Sequence, residues 1–122
     1  MILADTSVWI DHFRSPSHQL ERMLDREEIA MHPFVAGELA LAPLPKREIL
    51  LTFLDLLPQL RIASQNEVRT LIEAHSLHNR GIGLIDAHLL AAALIAPGTQ
   101  LWTRDTFLRK IAAGFGILAN LR

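Results

Sequence analysis

Short apolar runs alternate with longer amphipathic segments along the 122-residue chain. Five of the runs have the length and composition of strands: MILA at 1–4, IAMH at 29–32, LRIA at 60–63, QLWT at 100–103 and GILAN at 116–120. Strands that alternate with helices are typical of an α/β protein with a mainly parallel sheet. We therefore predict a single α/β domain over residues 1–122, with helices flanking a parallel sheet.

Helix boundaries are indicated by prolines and by one capping motif. Residues 17–28 carry apolar side chains at helical spacing among charges, which predicts an amphipathic surface helix. Proline is favoured in a first helical turn, so Pro33 and Pro45 predict two helix starts, and Pro58 predicts the end of the second of these helices.

The second half of the chain predicts two further helices. Ser64 and Glu67 fit the capping box S-x-x-E and predict a helix that runs towards residues 79–81. The segment after Gly83 is apolar almost all round, so we expect it to form a central, buried helix.

Composition limits the class of protein. Half of the residues are hydrophobic and a fifth are charged, which suits a compact fold. The chain has no cysteine, so it has neither disulfides nor a thiolate metal site. Asp5 and Asp11 lie in the first segment, which lacks a basic stretch before a long apolar run, so we expect no signal peptide and a cytoplasmic location. Pro97 and Gly98 interrupt the longest uncharged stretch, so we expect no membrane contact.

Charge is unevenly distributed although the net charge is only −1. Beyond residue 90 the one acid is Asp105, against four basic residues: Arg104, Arg109, Lys110 and Arg122. This locally basic part is compatible with a surface that faces phosphates, and equally with a solvated helix face.

Two acids lie within apolar helical segments. Glu38 is in HPFVAGELALAP and Asp86 is in GIGLIDAHLLAAALIAPG. An unpaired carboxylate on a core-facing stripe is heavily penalised, so each should be paired, protonated or bound to a cation. The alternatives are that Glu38 faces water at the boundary of its helix, and that Asp86 is stabilised in a first helical turn by the helix dipole.

Two more acids follow predicted strands. Asp5 comes after MILA and Asp105 after QLWT, and the carboxyl ends of parallel strands meet at one edge of a sheet. Taken singly, each is compatible with an N-cap. Together with Glu38 and Asp86 they indicate a cluster of oxygen ligands, which suits Mg²⁺ or Mn²⁺.

Other chemistries find little support. The chain has no G-x-S-x-G motif, no cysteine nucleophile and no P-loop. His75 and His78 could share a helix face, but they lack a third zinc ligand, so we expect them to be solvated. We expect His88 to be a hydrogen-bonded structural residue rather than a ligand.

Four segments resemble a known family. ILADTSVWIDHF, the apolar helix around Glu38, GLIDAHLLAAA and LWTRDTFLRK resemble, in order and spacing, the PIN-domain ribonucleases, and within them the VapC-type toxins of bacterial toxin–antitoxin pairs. The likeness covers nearly the whole chain. It implies a PIN-like fold and a Mg²⁺- or Mn²⁺-dependent endoribonuclease that cleaves RNA phosphodiester bonds.

The resemblance also assigns roles to the four acids. Asp5 and Asp86 resemble the principal metal carboxylates of the family. Glu38 and Asp105 complete an acidic quartet, directly or through water. These four are the catalytic and metal-binding residues that the resemblance implies.

Supporting residues and partners follow from the same resemblance. Thr103, and also Ser7 in the first helical turn, resemble hydroxyls that support the acidic site, and Arg104 is placed to contact the RNA backbone. The family further implies a small antitoxin that occludes the site and a homodimer of the toxin.

Two alternatives stay open at this point. A receiver-like phospho-acceptor domain would have neighbouring acids after the first strand and a lysine at the end of the last one, whereas Asp5 precedes Thr6 and Lys110 falls in a helical segment. A catalytically silent PIN-fold interaction module is the other alternative, and the presence of all four acids argues against it.

Overall fold

A computed structural model describes residues 1–122, and it confirms the predicted α/β class. Three parallel strands form one sheet and seven helices surround it. The strands are β1 (Ile2–Ala4), β2 (Ile29–Ala30) and β3 (Gln100–Trp102). The helices are α1 (Thr6–Arg14), α2 (His18–Asp25), α3 (Pro33–Ala40), α4 (Arg47–Leu56), α5 (Gln65–Ala74), α6 (Leu84–Ile95) and α7 (Thr106–Gly114).

The sheet has the order β2-β1-β3, so the first strand is central. Leu3 pairs with Ala30 on one side and with Leu101 on the other. All three strands point the same way, and the chain therefore leaves β1 and β3 side by side at the carboxyl edge. The Asp5 N–H donates to the Trp102 carbonyl at 2.9 Å, which joins these two exits.

The predicted strand at 60–63 is wrong. Gln59 forms a single bridge with Met31, and the Leu60 N–H donates to the Met31 carbonyl at 2.8 Å. Continuation of the pairing over 61–63 would next require the Pro33 N–H to donate to the Leu60 carbonyl, but proline has no N–H and Pro33 already begins α3. After Leu60 the chain turns away to the start of α5.

The predicted strand at 116–120 is also reduced to one bridge, between Leu118 and Leu101. Leu101 donates to the Ile117 carbonyl at 2.7 Å and accepts from the Ala119 N–H at 2.9 Å. Its only neighbour is β3, which is three residues long, so the ladder has no room to grow.

Most predicted helix starts are confirmed. α2 begins directly after Ser17, α3 begins at Pro33, and α4 begins two residues after Pro45 and ends before Pro58. α5 begins after Ser64 with both bonds of the capping box in place.

Helix ends are less well predicted. α5 stops at Ala74, well before residues 79–81. The Leu77 N–H closes back onto the Ile72 carbonyl at 3.0 Å, with Ser76 in a left-handed conformation (φ 50°). This is a Schellman closure, which usually has glycine at the left-handed position. Serine there gives no recognisable stop signal.

The core lies between the sheet and its helices. Nineteen buried apolar residues form the main cluster, including Trp9 and Trp102. α6 is the central helix that its composition predicts, because every residue over 87–93 is buried. None of the helices is both long enough and apolar enough to cross a membrane.

Candidate active site

Asp5 lies at the turn from β1 into α1 and caps that helix. Its Oδ1 accepts from the Val8 N–H at 3.2 Å and from the Ser7 hydroxyl at 2.5 Å. Its Oδ2 accepts from the Thr103 hydroxyl, and the residue is only 6% exposed. A carboxylate oxygen has two lone pairs, so Oδ2 keeps one for a ligand. The N-cap and site interpretations of Asp5 are therefore compatible.

Thr103 connects the end of β1 to the start of α7. This fully buried residue follows β3, donates to Asp5 and accepts from the Asp105 N–H at 3.1 Å. Asp105 caps α7, where its Oδ1 accepts from the Leu108 N–H at 2.8 Å. Its Oδ2 has no protein partner, and the residue is exposed. Asp105 thus also has a cap oxygen and a free oxygen.

Glu38 is exposed, so the expectation that it lies on a core-facing stripe is wrong, although it lies within electrostatic range of Asp86. The buried residues of α3, Val35 and Leu39, lie four positions apart on one face of the helix, and Glu38 lies off that face. The Thr6 hydroxyl donates to Glu38 Oε1 at 2.6 Å. Thr6 was not predicted as a site residue, although its position directly after Asp5 at the start of α1 is a usable signal.

Asp86 is half-buried in the first turn of α6, with the Gly83 N–H 3.4 Å from its Oδ2. Burial raises the pKa of Asp86, and the negative charges of Asp105, Asp5 and Glu38 raise it further, against the Gly83 bond, which lowers it. The fold thus brings Asp5, Glu38 and Asp105, which are far apart in sequence, within electrostatic range of Asp86.

No protein cation neutralises this cluster. The three ion pairs of the structure involve other acids. Arg104, the expected RNA contact, binds the Asp11 carboxylate and the Arg122 carbonyl instead. Its positive charge is therefore paired with Asp11 and does not neutralise the four acids.

The donor set fits a hydrated divalent cation. No three acidic or imidazole side chains are close enough to form a closed metal cage. Mg²⁺ commonly keeps several waters and takes only one or two carboxylates directly. Asp5, through the free lone pair of its Oδ2, and Asp86 could contact such a cation directly, and Glu38 and Asp105 could reach it through water.

The histidines lie outside this cluster. His88 is buried, and the expectation of a hydrogen-bonded side chain fails at its Nδ1, which has no partner. Its ring lies edge-to-face with Phe34 at 4.8 Å, and Phe34 lies edge-to-face with His32 at 5.2 Å. His75 and His78 are exposed.

Two comparisons with known proteins identify the family of this chain. The PIN domain family model matches residues 2–114. Two relatives, both named ribonuclease VapC32, come from Mycobacterium tuberculosis strains CDC 1551 / Oshkosh and ATCC 25618 / H37Rv. Each is 39% identical over 117 residues, which cover 96% of this chain and 94% of the relative. The resemblance drawn from the sequence is confirmed, and the chain belongs to the PIN-domain family.

Proposed function

We propose that this protein is a Mg²⁺- or Mn²⁺-dependent endoribonuclease and the toxin of a toxin–antitoxin pair. The observation that carries the proposal is that Asp5, Glu38 and Asp105 lie within electrostatic range of Asp86 and that none of the four acids is paired with a protein cation. The relatives named ribonuclease VapC32 support RNA as the substrate.

Asp5 and Asp86 would hold the cation. Asp5 offers the remaining lone pair of Oδ2, and Asp86 gains most from a positive neighbour, because burial and three nearby carboxylates oppose its ionisation. A bound divalent cation acidifies a water and offsets charge on the reacting phosphodiester.

Ser7 and Thr103 act as positioning residues. Together with the Val8 N–H they donate three bonds to Asp5, which fixes the orientation of its carboxylate. Hydrogen-bonded partners of this kind orient ligands and keep the site ready for its cation.

Glu38 and Asp105 are the exposed members of the cluster, where a phosphate and a water enter. Thr6 holds one oxygen of Glu38, and the cap bond holds one oxygen of Asp105. The free oxygen of either side chain would accept a proton from the water that attacks in line with the leaving oxygen.

The proposal includes a homodimer, a small antitoxin that occludes the site, and a cytoplasmic location, where the RNA substrate is found. Exposed apolar side chains at the end of α3 and on α4 support protein contacts. Leu41 is 90% exposed, Ile49 68% and Leu56 80%. Ile49 and Leu56 are seven positions apart on α4 and share one face of that helix, and an exposed apolar face of this kind supports an interaction surface.

Membership of the PIN-domain family leaves the receiver-like alternative without support. The silent interaction module predicts no cleavage under any condition, so an activity assay separates it from a nuclease.

The decisive experiment incubates the purified protein with single-stranded RNA. We expect cleavage with Mg²⁺ or Mn²⁺, loss of cleavage with excess EDTA, and recovery when metal is added back. Asp5→Asn should lower the rate by about 100-fold or more, because it removes a metal carboxylate. The variant should still fold, since the asparagine oxygen can cap α1 while its amide donates to Thr103.

Asp25→Asn on α2 provides the control, because Asp25 is exposed and lies outside the cluster. Equal cleavage in excess EDTA would contradict metal dependence. Failure of the parent protein to cleave with either metal would favour the silent module. Sequencing of RNA ends after brief induction in a host without the antitoxin would identify the target.

A further inference from the structure

An open groove lies beside the acidic cluster, between the loop before α6 and the first turns of α7. Its volume is about 430 Å³, and its lining residues are Asn79, Arg80, Gly81, Phe107, Lys110 and Ile111. Both walls lead directly to the site. Phe107 follows the α7 cap Asp105 by two residues, and the loop continues into Gly83, whose N–H bonds Asp86.

One face of the Phe107 ring is covered and the other is open. A Cβ at Gly81 would lie 2.8 Å from Cγ of Phe107 and 3.0 and 3.1 Å from its two Cδ atoms. Three ring atoms at nearly equal distance place the Gly81 backbone over the face of the ring, not at its edge. Phe107 nevertheless remains 55% exposed, so its opposite face is available for stacking.

The close approach of the loop to Phe107 is possible only because residue 81 is glycine. Gly81 has a φ of 81°, and a side chain there would be both strained and in collision with Phe107. Asn79 also adopts a left-handed conformation, with a φ of 59°. The loop is therefore turned tightly at both sides of Arg80, which fixes its backbone at the mouth of the groove.

The groove also carries free positive charge. Arg80 and Lys110 are exposed, and neither takes part in an ion pair. No acid lines the groove. By contrast, the Arg109 guanidinium donates to the backbone carbonyls of Thr103 and Leu121. Arg80 and Lys110 are thus positioned to bind an anion next to four acids that would otherwise repel it.

We propose that this groove is a nucleotide subsite next to the scissile bond, in which a base stacks on the open face of Phe107 and a phosphate binds Arg80 and Lys110. Proteins recognise single-stranded nucleic acid by this combination of an aromatic platform and basic side chains. The subsite rests on the proposed ribonuclease function and gives it a preference for unpaired RNA, because a paired base would first have to break its pair and leave its stack to reach Phe107.

The test measures RNA binding apart from cleavage, in an Asp5→Asn background that prevents turnover and with Mg²⁺ present. The probes are fluorescein-labelled decaadenylate and a labelled decamer of abasic ribose phosphates. Phe107→Leu keeps an apolar side chain against Gly81 but removes the aromatic face. It should weaken decaadenylate binding about 5- to 100-fold and leave binding of the abasic decamer unchanged.

The basic residues predict a different pattern. Arg80→Ala and Lys110→Ala should weaken binding of both decamers, and each should reduce the slope of log affinity against log salt by about 0.7. Lys46, the other lysine of the chain, is exposed on the α4 side, and Lys46→Ala is the matched control. Ile95→Ala, at an exposed apolar position at the far end of α6, is the control for Phe107→Leu.

The outcomes separate the subsite from the enzyme. If the parent cleaves RNA but Phe107→Leu binds both decamers as Ile95→Ala does, the subsite is wrong and the ribonuclease stands. If the parent neither cleaves RNA nor binds decaadenylate, the proposed function itself fails. Phe107→Trp should restore the preference for decaadenylate over the abasic decamer, because tryptophan offers a larger stacking face, and its failure to do so would overturn the stacking role.

Discussion

Asp5 caps α1 with one carboxylate oxygen and presents the other to the site. Asp105 does the same at the start of α7. A cap requires only one acceptor oxygen, so an aspartate at an N-cap has a second oxygen for a ligand. Because α1 and α7 follow adjacent parallel strands, the two caps bring two free oxygens to one place. Two members of the acidic cluster thus arise from ordinary helix capping.

Substitution of Asp86 measures how far repulsion among the four acids destabilises the metal-free fold. We predict that Asp86→Asn melts roughly 2 °C higher than the parent in EDTA, since burial and the charges of Asp105, Asp5 and Glu38 oppose ionisation of Asp86 in the folded state. The asparagine oxygen can still accept from the Gly83 N–H. Thermal unfolding followed by circular dichroism gives the measurement.

Glu48→Gln is the matched control for this variant. Glu48 is also an acid in a first helical turn, but it is exposed. Its substitution removes the favourable interaction with the helix dipole without relieving repulsion in the site, so it should melt at the parent temperature or slightly lower. If Asp86→Asn behaves in the same way, Asp86 carries no repulsion from the cluster.

His32 makes the stability of the fold depend on pH. Burial and then the neighbouring His88 lower the pKa of His32 from 6.5 to about 4. Between these values the unfolded chain binds a proton that the folded chain excludes, so stability is complete above pH 6.5 and falls as the pH drops towards 4. We expect this residue to account for a loss of about 2 kcal/mol between pH 7 and pH 5.

Urea unfolding of the parent and of His32→Asn at pH 7 and pH 5 would measure this contribution. Asparagine does not titrate, and its oxygen can replace Nδ1 as acceptor for the Phe34 N–H. The loss of stability between the two pH values should be smaller in the variant by about 2 kcal/mol. His78→Asn, at an exposed position, should behave as the parent does. Equal losses in all three proteins would contradict the role of His32.

At the scale of secondary structure, α5 depends on its capping box. The Ser64 hydroxyl accepts from the Glu67 N–H at 3.0 Å, and Glu67 accepts from the Ser64 N–H at 2.8 Å. We predict that Ser64→Ala lowers the free energy of unfolding by about 1 kcal/mol. RNA cleavage should be unaffected because α5 contributes no site residue. Chemical denaturation measures the loss.

Thr70→Ala in the same helix serves as the comparison. Thr70 is exposed and makes no cap bond, and alanine has the higher helix propensity, so this variant should be as stable as the parent or more stable. Equal destabilisation by the two substitutions would show that the capping box is not the cause.

Local signals explain why the helix starts, and the end of α4 before Pro58, were predicted while the ends of α2 and α5 were not. Pro33 and the Ser64 capping box act within a few residues, so the sequence reveals them. The ends of α2 and α5 depend on left-handed Glu27 and Ser76, residues that rarely adopt this conformation and carry no recognisable signal. The prediction of a strand at 60–63 was wrong because a strand needs a partner strand to pair with, and that partner is distant in sequence.

At the scale of the whole molecule, the sequence identified the four acids but not their environments. Apolar neighbours suggested a buried Glu38, yet α3 packs its Val35 and Leu39 face on the core and leaves Glu38 exposed beside Thr6, a contact across 32 positions. The groove at Phe107 could not be predicted either, since it requires the loop at Gly81 to meet α7. Residue types in a motif are visible in sequence, whereas orientation and neighbours follow from packing.

The acidic cluster also predicts how metal stabilises the whole fold. Like charges held together at the carboxyl edge oppose folding, and a cation bound only by the native state adds RT ln(1 + [L]/Kd). At Mg²⁺ or Mn²⁺ concentrations near 100 Kd, we expect the free energy of unfolding to rise by about 2.7 kcal/mol and Tm to rise by several degrees.

Salt also screens repulsion, so sodium chloride at matched ionic strength is the control and should have a much smaller effect. Asp5→Asn should gain less from metal than the parent because it has lost a ligand. If sodium chloride raises Tm as much as Mg²⁺ and Mn²⁺ do, or if Asp5→Asn responds as the parent does, the four acids do not form a cation site.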